Sequence, residues 1–106
     1  QRAAYPDIET LVLDNSPARV VELAGEIAEA MGWEIVAVDT DGGRVEATAT
    51  TAWFGFKDDV VVRVRPVAGG ANVDVRSVSR VGGGDLGANA ARIREFLDRL
   101  RMASLG

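Results

Sequence analysis

Arginine and aspartate alternate with valine along two neighbouring segments, residues 59–65 and 73–80. An arginine side chain carries a planar fork of N–H groups that binds a carboxylate or a phosphate through two parallel hydrogen bonds. Charged residues in this pattern can recognise an anionic ligand. They can also neutralise one another on a solvent-facing sheet and protect it from edge pairing. The sequence leaves both interpretations open.

The candidate binding cluster combines these charges with residues on either side of them. Its polar members are Arg63, Asp74, Arg76, Arg80 and Asp85, and its apolar neighbours are Trp53 and Phe56. The cluster predicts a ligand-binding site whose partner is a protein surface or a small anionic or amphiphilic ligand, held between a sheet and the last helix. It predicts no cofactor and no metal ion.

Turn geometry predicts which of these charges face one another. A short hairpin over residues 66–71 would place Arg63 opposite Asp74 on the neighbouring strand. A similarly tight turn around Phe56 would fix the register of the preceding strand, residues 44–52, against the strand at about 59–65. The remaining predicted neighbours are Glu46 with Arg65, Thr48 with Arg63, and Asp59 with Arg76 or Arg80.

Catalytic chemistry has little support from the residue types present. The chain contains no cysteine and no histidine, so thiolate nucleophiles, histidine bases and the usual zinc sites are excluded. Asp58 and Asp59 are adjacent on a strand and point to opposite faces, so a divalent ion would need Asp85 or another oxygen donor. Ser77 and Ser79 have no neighbouring base to activate them. We predict no catalytic residues, with a carboxylate- and divalent-metal-dependent enzyme as the alternative.

A glycine-rich segment, residues 82–87, precedes the last predicted helix. It lacks the lysine of a P-loop and the spacing of a dinucleotide-binding loop, and it follows antiparallel strands. We interpret it as a flexible link in which Asp85 caps the helix or tethers an arginine.

The elements that position these residues follow from hydrophobic period and capping signals. Ser16 and Pro17 begin a helix that runs to about Met31, and Gly32 is placed to end it. The other predicted elements are strands at 11–13, 33–38, 44–52, about 59–65 and about 73–80, and a helix from about 86 or 88 to about 102. A bulge or exposed aromatic turn is predicted at residues 53–56.

The apolar stripes predict how these elements pack. Those of the helices are Val20, Leu23, Ala24, Ile27 and Met31, and Ile93, Phe96, Leu97 and Leu100, with Arg92, Arg94, Asp98 and Arg99 on the outer side of the last helix. Val60, Val62 and Val64 supply the apolar face of the sheet. The order β-α-β-β-β-β-α therefore predicts an α+β fold, an antiparallel meander sheet with two helices packed on one face.

Length and charge bound the class of protein. The 106 residues correspond to a single domain, and no apolar run approaches the roughly 20 residues needed to span a bilayer. Sixteen acidic residues outnumber twelve basic ones, and the net charge of −4 argues against a nucleic-acid partner. Because the chain begins at Gln1, we expect a domain excised from a longer protein.

Four segments resemble one bacterial family, the domain of unknown function numbered fourteen-ninety-nine. They are AYPDI at residues 4–8, GWEIV at 32–36, GRVEATATTAWFGFKDDVVVRV at 43–64 and VDVRSVSRVGGGDLGANAARIREF at 73–96. The resemblance covers nearly the whole chain and implies no established activity. The order of strands and helices also resembles a helix-grip arrangement, an analogy of fold that carries no function.

The family resemblance has two further implications. Members often carry membrane-spanning segments or a signal sequence upstream, so we expect a cell-envelope location, with membrane contact only through such an anchor. Members also commonly carry an upstream motif of the His-Asp-Ile-Thr-Thr-Asp type, which is absent from this sequence. The preferred prediction is a non-enzymatic binding or interaction module. A scaffold whose function lies in a missing upstream segment is a further alternative.

Overall fold

The structure is a computed structural model that describes residues 7–50, 55, 57–79 and 86–105. Its elements are β1 (Asp7–Leu13), α1 (Pro17–Ala30), β2 (Glu34–Asp39), β3 (Arg44–Thr50), β4 (Lys57–Val67), β5 (Gly70–Ser79) and α2 (Leu86–Ser104). The predicted α+β class and element order are confirmed. Neither helix of the described part is long and apolar enough to cross a membrane.

One five-stranded sheet carries both helices. Its strand order is β1-β5-β4-β3-β2, and every neighbouring pair is antiparallel. Strands β2 to β5 form the predicted meander, whereas β1 pairs with the far side of β5. A side chain at Gly70 would place a Cβ atom 1.9 Å from the carbonyl oxygen of Leu13. Glycine at this position is what allows β5 to begin beside the end of β1.

Helix α1 begins and ends where the capping residues predict. The Ser16 hydroxyl accepts a hydrogen bond from the backbone N–H of Arg19 at 3.3 Å, and Pro17 occupies the first helical position. After α1, Gly32 adopts a φ of +86°, which is the left-handed conformation expected of a helix C-terminus.

The core lies between the helices and the inner face of the sheet. Its sheet side is formed by alternate residues of β3, β4 and β5, including Val45, Val60, Val62, Val64, Val73 and Val75, all buried. Ile93, Phe96, Leu97 and Leu100 of α2 are also buried, as predicted. The Phe96 ring stacks on Trp33, with ring centroids 5.2 Å apart. This packing fixes which side chains of the sheet remain available on its outer face.

Candidate functional site

The outer face of the sheet presents a concentration of arginine side chains. A shallow depression of about 410 Å³ lies over β3, β4 and β5 and is lined by Arg44, Val61, Arg63, Arg65, Asp74 and Arg76. We call these six residues the arginine face. Their position on the outer face follows from strand alternation, because the adjacent residues along the strands point into the core. These adjacent residues are Val45, Val62, Val64, Val73 and Val75. A second depression of about 280 Å³ adjoins it near Gly42 and Gly43 and shares three of its arginines.

Asp74 is the carboxylate at the centre of the arginine face. It lies opposite Arg63, as the hairpin prediction requires. Its side chain, however, accepts hydrogen bonds from Arg65 at 2.5 Å and from Thr10 of β1 at 2.7 Å. The predicted register is therefore confirmed, while the ion pair forms with the diagonal neighbour Arg65. Among the described residues, Arg63 therefore forms no ion pair with Asp74, the carboxylate that lies opposite it.

Arg44 of β3 places a second positive charge beside Arg63 of β4. Its Nε atom donates to Glu46 at 2.7 Å, two residues further along β3. Its Cα partner on β4 is Arg63, so two cations lie directly opposite each other. Like charges in this arrangement destabilise a sheet by an amount comparable to the roughly 0.2–1 kcal/mol that opposite charges contribute.

Two of the four arginines of this face form ion pairs with carboxylates. Arg44 is paired with Glu46 and Arg65 with Asp74. Within the part of the chain that the structure describes, no ion pair involves Arg63 or Arg76, and both are exposed. Arg76 lies opposite Val61 and diagonal to Arg63 across β4 and β5. Side chains at such diagonal positions start roughly 7–8 Å apart, a span that one anionic group can bridge when the long arginines converge.

The register of β3 against β4 differs from the prediction. Glu46 lies opposite Val61, and Thr48 lies opposite Asp59. The predicted proximity of Glu46 to Arg65 and of Thr48 to Arg63 was therefore wrong, because each partner on β4 lies four residues earlier than predicted. The reason is the position of the connection between the two strands. Because β3 ends at Thr50 and β4 begins at Lys57, the midpoint of this connection lies about two residues earlier than that of a tight turn at Phe56. Moving the midpoint by one residue moves the pairing by two residues. The diagonal relation of Asp59 to Arg76 is confirmed.

The structure brings together three of the seven predicted cluster residues. Arg63, Asp74 and Arg76 share the outer face, on the side of the sheet away from both helices. A ligand that contacts them therefore lies outside the space between the sheet and α2, where we had expected it. The other four, Trp53, Phe56, Arg80 and Asp85, lie outside the described residues, as does the predicted bulge at 53–56.

The sequence analysis missed two of the four arginines of the arginine face. Arg44 was not considered as a ligand-binding residue, and Arg65 was considered only as a neighbour of Glu46. Both carry a detectable signal, because Arg44 precedes the inward residue Val45, and Arg65 follows the inward residue Val64. Strand period alone therefore places both on the outer face.

A second polar cluster lies on the inner face of the sheet. The Arg92 Nη1 atom of α2 donates to the Asp58 carboxylate of β4 at 2.7 Å, and only 12% and 5% of these side chains are exposed. Ser79 of β5 is the cross-strand partner of Asp58, and Ser77 is buried on the same face. The prediction that Arg92 lies on the outer side of α2 was wrong. Burying this guanidinium is tolerated because a carboxylate on the sheet pairs with it.

Asp58 and Asp59 lie on opposite faces of β4, as predicted: Asp58 is buried and Asp59 is exposed. They therefore do not bind one ion together. Across residues 10–50, 57–79 and 90–105, no group of three or more acidic side chains is close enough to hold a metal ion.

A family-level sequence comparison matches residues 1–100 to "Protein of unknown function (DUF1499)". The chain belongs to the DUF1499 family. The match extends over nearly the full length, so the resemblance inferred from the sequence motifs is confirmed. No curated protein sequence matches this DUF1499 chain.

Solved structures confirm the helix-grip-like arrangement. The DUF1499 domain is similar to Ara h 8.0201, with a TM-score of 0.70 at 12% identity, covering 95% of this chain and 97% of that one. It is also similar to protein MLL2253 from Mesorhizobium loti, with a TM-score of 0.72 at 12% identity over 92% of this chain and 95% of that one. Protein CV1439 from Chromobacterium violaceum gives a TM-score of 0.64 at 12% identity, over 93% and 96% of the two chains. At such low identities the likeness concerns the fold alone.

Proposed function

We propose that this DUF1499 domain is a non-enzymatic binding module of the bacterial cell envelope whose recognition surface is the arginine face. Its partner presents carboxylate or phosphate groups, either as a small anion or as an acidic segment of another protein. The observation that carries the proposal is the pair of exposed guanidiniums, Arg63 and Arg76, that line one depression without ion pairs among the described residues.

The electrostatics of this face support an anionic partner. Four guanidiniums surround the depression, and the two carboxylates that pair with them, Glu46 and Asp74, compensate only half of that charge. The chain as a whole carries a net charge of −4, so a local positive surplus is contrary to its average. Hydrogen bonds to a charged group contribute roughly 1.5–3 kcal/mol each. An anion bridging Arg63 and Arg76 would also relieve the repulsion between Arg63 and Arg44.

The cell-envelope location and the two alternative functions, a metal-dependent enzyme and a scaffold, are supported by different observations. The envelope location is supported by the family resemblance, since members often carry a signal or membrane-spanning segment upstream. The metal-dependent alternative has less support, because Asp58 pairs with Arg92 while Asp59 lies on the other face. The scaffold alternative predicts that the isolated domain has no ligand of its own, and the following experiment separates it from a binding module.

Binding of two defined anions to the wild-type domain tests the proposal. The probes are a fluorescent glutamate hexapeptide, which represents an acidic protein segment, and inorganic pyrophosphate, which represents a small anion. We expect Arg76→Glu to weaken binding of the preferred probe by roughly tenfold or more, because one charge-assisted contact is replaced by a repulsion. The matched control is Arg99→Glu on α2, an exposed arginine paired with Glu95 far from this face.

Ionic strength provides a second readout. Binding at the arginine face should weaken as salt increases, because exposed charges are screened over about 10 Å at 0.1 M salt. The proposal is wrong if neither probe binds the wild type, or if Arg76→Glu and Arg99→Glu weaken binding equally. Circular dichroism of both variants confirms that the fold is retained.

A further inference from the structure

A second surface, distant from the arginine face, lies between α1 and the edge of the sheet. It is a groove of about 370 Å³ lined by Val21, Glu22, Gly25, Glu26, Glu29, Ile35, Val38 and Thr40. We call it the α1–β2 groove. Apolar side chains of α1 and β2 form its floor, and three glutamates of α1 form one rim.

Gly25 is a residue of this groove that the fold itself does not explain. It lies in the middle of α1, where glycine is the least favourable residue apart from proline. A Cβ atom added at Gly25 would meet nothing within 4 Å, so no neighbouring element requires its small size. Glycine in such a position permits another backbone to approach the helix closely. No segment of the described chain makes that approach.

The rim of the groove is acidic and incompletely neutralised. Glu22 pairs with Arg19 at 3.0 Å. Glu26 and Glu29 lie about one helical turn apart, are exposed, and take part in no ion pair with the described residues. A partner that carries lysine or arginine side chains would complement this rim.

The opposite rim is a free sheet edge. Strand β2 is the last strand in the order β1-β5-β4-β3-β2, so no strand of the described residues lies beside its outer edge. Val36 and Val38 of this strand are 61% and 50% exposed. A sheet edge offers backbone N–H and C=O groups to an extended segment, which then places alternate side chains on each face. A bulge between Ile35 and Ala37 interrupts the pairing of β2 with β3, which has two residue pairs before the bulge and three after it.

We infer that the α1–β2 groove binds an extended basic segment of a partner protein. The segment lies along β2, its backbone passes over Gly25, and its alternate lysine or arginine side chains reach Glu26 and Glu29. The intervening side chains, which are small and apolar, point to the opposite face of the segment. This inference is independent of the arginine face, which has the opposite charge and lies on the other side of the sheet.

An NMR titration of ¹⁵N-labelled domain with a soluble peptide of alternating lysine and valine, Lys-Val-Lys-Val-Lys-Val, tests the inference. We expect shift changes concentrated in residues 21–29 and 35–40, with a Kd of roughly 1 mM or tighter. The same peptide with glutamate in place of lysine should leave these resonances unchanged. Glu26→Lys combined with Glu29→Lys should weaken binding by roughly tenfold or more. Glu95→Lys on the exposed side of α2 is the matched control.

Gly25→Ala separates the docking role from a role in folding. The substitution should raise the melting temperature, because alanine favours a helix, and it should also weaken peptide binding by crowding the approach to α1. A Gly25→Ala variant that binds the peptide as tightly as the wild type overturns the inference. Shift changes confined to other surfaces overturn it as well.

The protein alone provides the remaining test. If sedimentation velocity shows a dimer that Glu26→Lys with Glu29→Lys abolishes, a second copy of the chain fills the groove and the inference of a separate basic partner is wrong. A monomer at all concentrations leaves the groove open to that partner and, together with peptide binding, supports it.

Discussion

At the scale of single residues, the ion pairs of the domain lie in two settings, exposed on helix surfaces or buried between the sheet and α2. Pairs such as Glu95–Arg99 and Arg19–Glu22 are exposed on helix surfaces, where they contribute roughly 0.3–0.5 kcal/mol. The Asp58–Arg92 pair is buried between β4 and α2, where the loss of one partner leaves an uncompensated charge. The same chemical contact therefore has different consequences in the two settings.

Asp58→Asn should be strongly destabilising. It removes the charge that compensates the buried Arg92 guanidinium, and we expect a loss of roughly 3 kcal/mol in the free energy of unfolding. Urea unfolding measures this loss directly. Glu95→Gln, which breaks an exposed pair on the same helix, should cost less than about 0.5 kcal/mol. Equal effects of the two substitutions would show that Arg92 remains solvated in solution.

Replacing both partners of the buried pair should restore stability. In Asp58→Leu with Arg92→Met no charge is left in the interior, so the double variant should be more stable than Asp58→Asn and close to the wild type within about 1–2 kcal/mol. Urea unfolding of the two variants under identical conditions makes the comparison. A double variant less stable than Asp58→Asn would mean that other contacts of Arg92 or Asp58 dominate.

Part of the buried pair could have been predicted from local pattern. Asp58 lies two residues before Val60, so strand alternation places it on the core face, and Arg92 lies four residues before Phe96, on the same side of α2. The partnership itself joins residues 34 positions apart in the chain. Local period indicates which face a side chain occupies, but it does not indicate which distant group it meets. The same limit applies to Asp74, whose choice of Arg65 over Arg63 depends on side-chain geometry.

At the scale of elements, the bounds and register of an element are predictable from sequence when the contacts that set them are close together in the chain. Helix α1 begins at Ser16–Pro17 and ends before Gly32 as predicted, because its capping contacts are local. The β4–β5 register was also predicted, because a short hairpin sets it. The β3–β4 register was wrong, because the length of the intervening connection was not evident from its composition.

The join between β1 and β5 depends on Gly70. Gly70→Ala should destabilise the domain by roughly 1–3 kcal/mol, because the added Cβ would overlap the Leu13 carbonyl oxygen and push the two strands apart. Gly25→Ala is the matched comparison: its added Cβ meets open space, and we expect a gain of about 0.5–1 kcal/mol. Thermal unfolding of both variants measures whether each substitution raises or lowers the melting temperature. A neutral Gly70→Ala would indicate that β1 is not held against β5 at this point.

At the scale of the whole molecule, both helices pack on one face of the sheet and thereby separate two charged surfaces. The arginine face occupies the uncovered side of β3, β4 and β5, whereas the acidic rim of the α1–β2 groove lies on the helical side at the β2 edge. The predicted architecture was sufficient to place Arg63, Asp74 and Arg76 on the outer face. It did not reveal the groove, because a groove depends on how a helix sits against a sheet edge and not on the period of either element.

The same architecture predicts an uneven stability across the sheet. Strands β4 and β5 each have two neighbours and carry core residues such as Val62 and Val75, whereas β2 has one neighbour, a bulge and exposed valines. Amides of β4 and β5 should therefore exchange with solvent only on global unfolding. Amides of β2 should exchange on the order of 100-fold faster, through local opening of the edge.

Native-state hydrogen exchange followed by NMR measures this difference residue by residue. Strand β1, the other edge, is the internal comparison, because it also pairs on one side only, with β5. Addition of the lysine–valine peptide should slow exchange in β2 and leave β1 unchanged, because a segment bound along β2 supplies the partner that this edge lacks. If β2 is as protected as β4 before any peptide is added, its edge is already covered in solution, and the groove is not free to bind a partner.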